Sequence, residues 1–283
     1  MTPDLTGRTA IVTGAARGIG RSIAETLADN GATVVIADLE QDDAEKTARS
    51  ISETGGTAVG FGVDVTDAHR VEAMVAFAES LPGSLDVLVN NAGTTSTATV
   101  ENTDETDWRR VLEVNLTGAF LCSKAVLPGM RVRTHGRIIN VASIAAKRIS
   151  FNSGAAYTAS KAGLLGFTRH LAYEAAPHGI NVNAVCPGPV ATDMVEHLTE
   201  PTALEQRLRN LPAGRFPTPQ DQAHAVLFLV SDAAQMIFGQ ALDVDGGSLL
   251  GWYDTETYNA RRTPAHSAGI TAAARADRTA ESP

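Results

Sequence analysis

Residues 10 to 38, AIVTGAARGIGRSIAETLADNGATVVIAD, limit what this chain can fold into more than any other stretch. Ala10 to Val12 is a short apolar run, Gly14, Gly18 and Gly20 break it, and Ile19, Ile23, Ala24 and Leu27 then recur at helical spacing until Gly31. The next apolar run, Ala32 to Ala37, stops at Asp38. Strand, glycine turn, helix and strand predict a parallel pair whose helix turns its unpaired amides toward the turn, where they can hold a pyrophosphate. Asp38 then closes the second strand, placed to accept hydrogen bonds from an adenosine ribose. The spacing is GxxxGxG rather than GxGxxG, and three glycines can also make a plain tight turn. The flanking apolar strand, amphipathic helix and closing acid favour a dinucleotide. A carboxylate at 38 suits the free 2'-hydroxyl of NAD and repels a 2'-phosphate, while Arg17 in the turn supplies a charge that softens the preference.

A length of 283 residues and 43% apolar content suit one large α/β core. The net charge of -9 disfavours nucleic acid or an anionic membrane as partner. Cys122 and Cys186 form no CxxC and read as inert buried thiols. No apolar stretch reaches roughly 18 residues and no hydrophobic leader opens the chain, so a cytoplasmic protein is expected.

Further along, Ala58 to Val63 reads as a third strand closed by Asp64, which could meet an adenine edge or cap the helix expected over about 68–81. Val65 would pack on the adenine in the same arrangement. Leu85 to Val89 ends in Asn90-Asn91-Ala92-Gly93, either a plain turn or small residues that let backbone approach a ligand, with Asn90 tying the turn to neighbouring strands. Glu105 to Gly129 predicts one long helix with Trp108, Val111, Leu112, Leu116, Ala119 and Phe120 on an apolar face. Asn115 lies on that face and needs partners, within the helix or inside a site.

Arg137 to Val141 predicts a fifth strand that delivers Ser143 just past its end. Tyr157 and Lys161 follow, four apart on a helical pattern, so both project from one face. A nearby ammonium stabilises a phenolate, so Tyr157 could take a proton from an alcohol or return one to a carbonyl, with Ser143 donating to the same oxygen. Alone, such a pair can be an aromatic stem beside a surface ammonium, and Ser143 a cap. All three follow the carboxyl ends of strands, on the side the glycine turn gives to a cofactor.

With Thr13 to Gly20, the Asn90 to Gly93 tip, Asn115, Ser143, Tyr157 and Lys161 in this order, the chain resembles the short-chain dehydrogenase/reductase family over about residues 6 to 250. The resemblance implies a seven-stranded, doubly wound Rossmann-like sheet in one domain over 1–252, in a homo-oligomer (tetramer or dimer), with NAD(P) across the strand ends. It implies Tyr157 as acid/base, Lys161 holding the nicotinamide ribose and lowering the tyrosine pKa, Ser143 orienting the reacting oxygen, and Asn115 supporting a water-mediated proton path. The cofactor residues are then Gly14, Arg17, Gly18, Ile19, Gly20, Asp38, Asp64, Val65, Asn91, Ala92, Gly93, Tyr157 and Lys161. Pro187, Gly188, Val190 and Thr192 join them, after a sixth strand at Asn181 to Val185, in a turn beside the nicotinamide.

Residues 193–217 could be a substrate lid with Met194, Leu198, Leu204, Leu208 and Leu211 inward, or two short surface helices. A helix within 219–231 and a last strand at Ala241 to Val244 complete the domain, and residues 253–283 read as a disordered or extended tail. Trp252 and Tyr253 read as surface aromatics or as reaching a neighbouring subunit. The neighbourhood of Ser143 (Ile144, Ala145, Ala146, Ile149, Phe151, Asn152) is mostly apolar and suits a secondary alcohol or ketone. Lys147 and Arg148 leave open a 3-oxoacyl thioester on an anionic carrier. The chain could also act as a polyol dehydrogenase, or as a scaffold that binds a dinucleotide without catalysis. No metal is expected, because the histidines are scattered.

Overall fold

A computed structural model describes residues 3–150, 152–190, 208–209, 211–251, 255–260 and 262. Seven parallel strands, β1 (Arg8–Thr13), β2 (Thr33–Asp38), β3 (Thr57–Gly62), β4 (Ser84–Asn90), β5 (Gly136–Val141), β6 (Ile180–Pro187) and β7 (Ala241–Val244), form one sheet in the order β3-β2-β1-β4-β5-β6-β7. The order reverses between β1 and β4, and an open parallel sheet leaves its binding crevice at that reversal, outside the carboxyl ends.

Both faces of the sheet are covered, so its central strands are buried throughout rather than on alternate residues, the polar Arg137, Asn140, Asn181 and Asn183 included. β5 and β6 are buried at every position. Helices α1 (Gly18–Asp29), α2 (Gln41–Glu53) and α7 (Pro219–Val230) pack Ile23, Leu27, Ile51 and Val226 on one face with Val12, Val34 and Ile36. On the other face, α3 (Ala68–Ser80), α5 (Gly118–Arg133) and α6 (Ala155–Ala175) pack Met74, Val126, Met130 and Leu171 against Ile11, Leu88 and Ile138.

The long helix expected from Glu105 is interrupted. α4 (Glu105–Leu112) runs into a π turn at Glu113–Thr117 before α5 begins, and Asn115 sits inside that wide turn. On the predicted apolar face, Val111 and Ala119 are buried, whereas Trp108 and Phe120 stay 37% and 45% exposed. The composite Glu105–Arg133 rod is, by length and a mean hydropathy of 1.2, apolar enough to cross a membrane, contrary to the expectation that no stretch is. Of that rod, Val111, Ala119, Cys122, Val126 and Met130 are buried within the protein, whereas Trp108, Phe120 and Val132 are exposed, and 39% of the apolar window is buried.

The cap of α3 is Asp67, which accepts from the amides of His69 and Arg70, and not Asp64. Asp64 instead accepts from Thr66 N at 2.9 Å and Thr66 Oγ1 at 2.7 Å, a local turn that precedes the helix. Within the tail expected to be disordered or extended, Thr255–Ala260 forms a short helix, α8. Phe151, Thr192, Met194, Leu198, Leu204, Trp252 and Tyr253 lie outside the described residues, and so do the subunit-reaching aromatics and the first part of the expected lid; of its expected inward face, Leu208 is half-buried and Leu211 buried.

Candidate active site

Three glycines shape the β1–α1 turn for different reasons. Gly14 (φ +63°) and Gly18 (φ +58°) need the left-handed region, and Gly20 needs space: a Cβ there would fall 2.2 Å from Gly14 O and 2.4 Å from Asn91 Nδ2. A Cβ on Gly14 would fall 2.8 Å from Ala92 Cα, yet at Gly18 nothing lies within 4 Å. The turn is thus closed against β4 and open at the start of α1. No side chain caps α1 after Arg17, so its first amides are left for an anion. An open cradle ending in uncapped amides fits a dinucleotide pyrophosphate.

Asp38 ends β2 with Oδ2 accepting from Ala16 N (2.9 Å) and Oδ1 from Leu39 N (2.8 Å), which fixes the carboxylate beside the glycine turn. Arg17 is exposed and has no ion-pair partner among the described residues. Val65 is only 7% exposed and meets Gly118 of α5, so little of its surface remains for an adenine. The β4 tip is knitted to β1: Asn91 Nδ2 donates to Thr13 O (3.0 Å) and Gly14 O (2.9 Å), and Thr13 Oγ1 accepts from the amides of Asn91 and Ala92. As expected, Asn90 ties this tip to its neighbours, donating to Asn140 Oδ1 at 2.8 Å and Ser123 Oγ at 3.1 Å.

At the crevice lies a cavity of about 340 Å³. The structure brings Ile19, Asn91, Gly93, Ser143, Tyr157, Lys161, Pro187, Gly188 and Val190 to its wall. Thr94, Thr95 and Ser153, which no sequence motif marks, line it too. Gly14, Arg17, Gly18, Gly20, Asp38, Asp64, Val65, Ala92 and Asn115 are not on this wall. The turn after β6 is pressed on the end of β7, since Gly188 N donates to Val244 O (3.1 Å) and a Cβ on Gly188 would fall 2.6 Å from Asp245 Cα. Among the described residues no three histidine, cysteine or acidic side chains gather as metal ligands do.

Tyr157 and Lys161 project from the first turns of α6, as their spacing predicts. Lys161 is 4% exposed, donates from Nζ to Val141 O at 2.8 Å and lies 5.7 Å from the Tyr157 ring centroid. Burial lowers its pKa to about 8. Ser143 Oγ accepts from Ala145 N (3.0 Å), and a hydrogen bond joins its side chain to the Tyr157 phenol. The expected depression of the phenol pKa is not what the protein frame produces: burial raises it, and only the Ser143 hydrogen bond opposes the rise. A phenolate loses hydration in the crevice, and Lys161 is itself desolvated and bonded to a carbonyl.

Asn115 makes its bonds outside its own helix rather than within it. From the π turn, Nδ2 donates to Thr94 O (2.9 Å) and Ser160 Oγ (3.0 Å), and Oδ1 accepts from Thr94 N at 2.7 Å. Ser160 Oγ donates on to Tyr157 O, so one amide couples the β4 tip to the helix of Tyr157. Gly93 keeps this tip close: a Cβ there would lie 3.3 Å from Asn115 Oδ1 and 3.6 Å from Lys161 Nζ. Lys147 and Arg148 are not free cations. Lys147 Nζ pairs with Asp243 Oδ1 at 2.6 Å, and Arg148 donates to Ser248 O and Oγ at 2.9 and 2.8 Å.

Residues 14–248 match the family model described as enoyl-(acyl carrier protein) reductase. The chain is 44% identical over 241 residues to 2-(S)-hydroxypropyl-CoM dehydrogenase 3 of Xanthobacter autotrophicus, covering 83% of this chain and 94% of that protein. It is also similar to the solved structure of a 3-oxoacyl-[acyl-carrier protein] reductase with bound NAD from Brucella melitensis (TM-score 0.81, 36% identity, 88% of this chain and 94% of that one). A chain assigned as an NAD(P) dependent gluconate 5-dehydrogenase from Beutenbergia cavernae, with NADP bound at low occupancy, matches with TM-score 0.81 and 39% identity over 88% of this chain and 99% of that one.

Proposed function

The chain belongs to the short-chain dehydrogenase/reductase family of oxidoreductases, and on that premise we propose that it exchanges a hydride between NAD(H) and a secondary alcohol or its ketone, with Tyr157 as general acid/base. The observation that carries the proposal is the convergence of Ser143, Tyr157 and Lys161 on one cavity beside the uncapped glycine turn. The nicotinamide, when bound, accepts or supplies the hydride. Ser143 and Tyr157 hold the substrate oxygen; Tyr157 returns a proton to it in reduction and removes one in oxidation. Lys161 holds the nicotinamide ribose and contributes positive charge to the same region. Asn115 fixes the β4 tip against α6.

Preference for NAD is supported by Asp38, whose carboxylate is fixed beside the glycine turn and would repel a 2'-phosphate bound there. A 3-oxoacyl thioester is the second reading and draws its support from the names of several relatives and solved structures; Lys147, expected to meet an anionic carrier, is instead neutralised by Asp243. A cytoplasmic homo-oligomer completes the proposal, supported by the exposed Trp108 and Phe120. The test is a steady-state absorbance screen of secondary alcohols, polyols, hydroxysteroids and 3-oxoacyl thioesters with NAD(H) and NADP(H). Turnover of at least one alcohol or ketone, faster with NAD(H), is expected. Tight NAD binding without turnover across the panel would point to a non-catalytic scaffold.

A further inference from the structure

We propose that Arg110 is a specificity-determining residue, which fixes the Thr94–Thr95 wall of the cavity and thereby sets the space available to a substrate's substituents. The claim about substrate rests on the function proposed above; the claim about the wall does not. Arg110 lies in the last turn of α4, three residues after Asp107. Asp107 Oδ1 accepts from Arg110 Nε at 3.1 Å and Nη2 at 2.5 Å, which orients the guanidinium plane. Nη1 is then aimed at Thr94 Oγ1, 2.7 Å away, and Nη2 reaches Thr95 O at 3.4 Å.

Thr94 is thus held at three atoms from one helical rod. Asn115 takes its amide and carbonyl, and Arg110 takes its hydroxyl. The division matters, because the Asn115 bonds set where the backbone passes and the Arg110 bond sets the Thr94 rotamer by engaging its hydroxyl oxygen as acceptor. Thr95 is exposed and has no Asn115 bond; Arg110 reaches its carbonyl. The next tether along the segment is the bond from Gly154 N to Ser96 O. The Arg110 side chain is 48% exposed, so its pair with Asp107 adds little to global stability, and its loss is felt in the wall.

Arg110→Met and Arg110→Lys in the full-length chain test this by two readouts. Amide hydrogen exchange over 93–98 in the protein alone should accelerate about fivefold in Arg110→Met, as loss of a hydrogen bond of ordinary strength implies, with the melting temperature almost unchanged and Arg110→Lys restoring part of the protection. With substrates of graded bulk, KM for small alcohols should rise about fivefold while kcat and the KM for NAD hold within about twofold, so preference shifts toward bulky substrates. Unchanged exchange over 93–98 would overturn the proposal whatever the kinetics. Equal loss for small and bulky substrates, or a parallel rise in the KM for NAD, would overturn its substrate claim. A wild-type protein without turnover would count against the proposed function, leaving the exchange result to decide the wall.

Discussion

The two sides of the crevice are held by different means. On the dinucleotide side, the β1–α1 turn and the β4 tip meet backbone to backbone, through glycines that have no room for a Cβ and through Asn91 and Thr13 bonds to main-chain atoms. On the substrate side, Arg110 grips Thr94, Lys147 grips Asp243 and Arg148 grips Ser248, all through long exposed or half-exposed side chains. Close-packed backbone tolerates no added atom, whereas side-chain tethers can be exchanged at small energetic cost. The arrangement leaves cofactor geometry rigid and substrate geometry open to change.

The largest effect should come from adding atoms on the rigid side. Gly20→Val places carbon into Gly14 O and Asn91 Nδ2 and should cost about 3 kcal/mol of stability, together with dinucleotide binding. Gly18→Ala meets open space and should cost about 1 to 2 kcal/mol, from its positive φ alone. Chemical denaturation and fluorescence titration with NADH measure both. Similar losses from the two substitutions would erase the contrast between a packed and an open glycine.

A second way to sharpen the comparison is charge. Asp38→Ser removes carboxylate–phosphate repulsion without touching the substrate side, so the ratio of kcat/KM with NAD to that with NADP should fall about tenfold, as loss of roughly 1.4 kcal/mol of discrimination implies. Equal wild-type kcat/KM with the two dinucleotides would remove Asp38 as selector.

The smallest expected effect concerns Lys161, where function and stability oppose each other. Its folded pKa of about 8 lies below its ordinary 10.5, so the native state binds fewer protons than the unfolded chain between those values and stability rises with pH across that window. Below about 8 the buried ammonium costs about 3 kcal/mol. Lys161→Met should therefore stabilise the protein at pH 7, by about 1 kcal/mol once the Val141 carbonyl has lost its donor, and the gain should vanish as pH approaches the ordinary lysine value. In the wild type, ketone reduction should weaken as pH rises through about 8, where the ammonium is lost. Denaturation midpoints across pH and a pH–rate profile check the two signs.

What could be read from the chain follows the same division. Contiguous signals, such as the glycine turn with Asp38 and the spacing of Tyr157 and Lys161 on one helical face, carry their geometry in a few residues, and the strands appear where the apolar runs predict them. Asn115 was legible as a buried amide, but the π turn that aims it was not, because a helical period does not register one wide turn. Arg110, Thr94, Lys147 and Asp243 were illegible as pairs, since each partner is distant in sequence and ordinary in type. The capping reading of Asp64 fails in favour of Asp67 because two acids a turn apart offer the same capping chemistry. The direction of the Tyr157 pKa could not be read either, since it depends on burial in the assembled crevice.

The central claim, that the Tyr157 hydroxyl moves the proton in a reaction whose cofactor is held mainly by other residues, is tested most directly by Tyr157→Phe, with NADH affinity and turnover measured on the same sample. The account predicts a dissociation constant within about threefold of wild type and a kcat lower by about 10³, the usual scale for loss of a positioned proton-transfer group. Near wild-type turnover with unchanged NADH binding would contradict it.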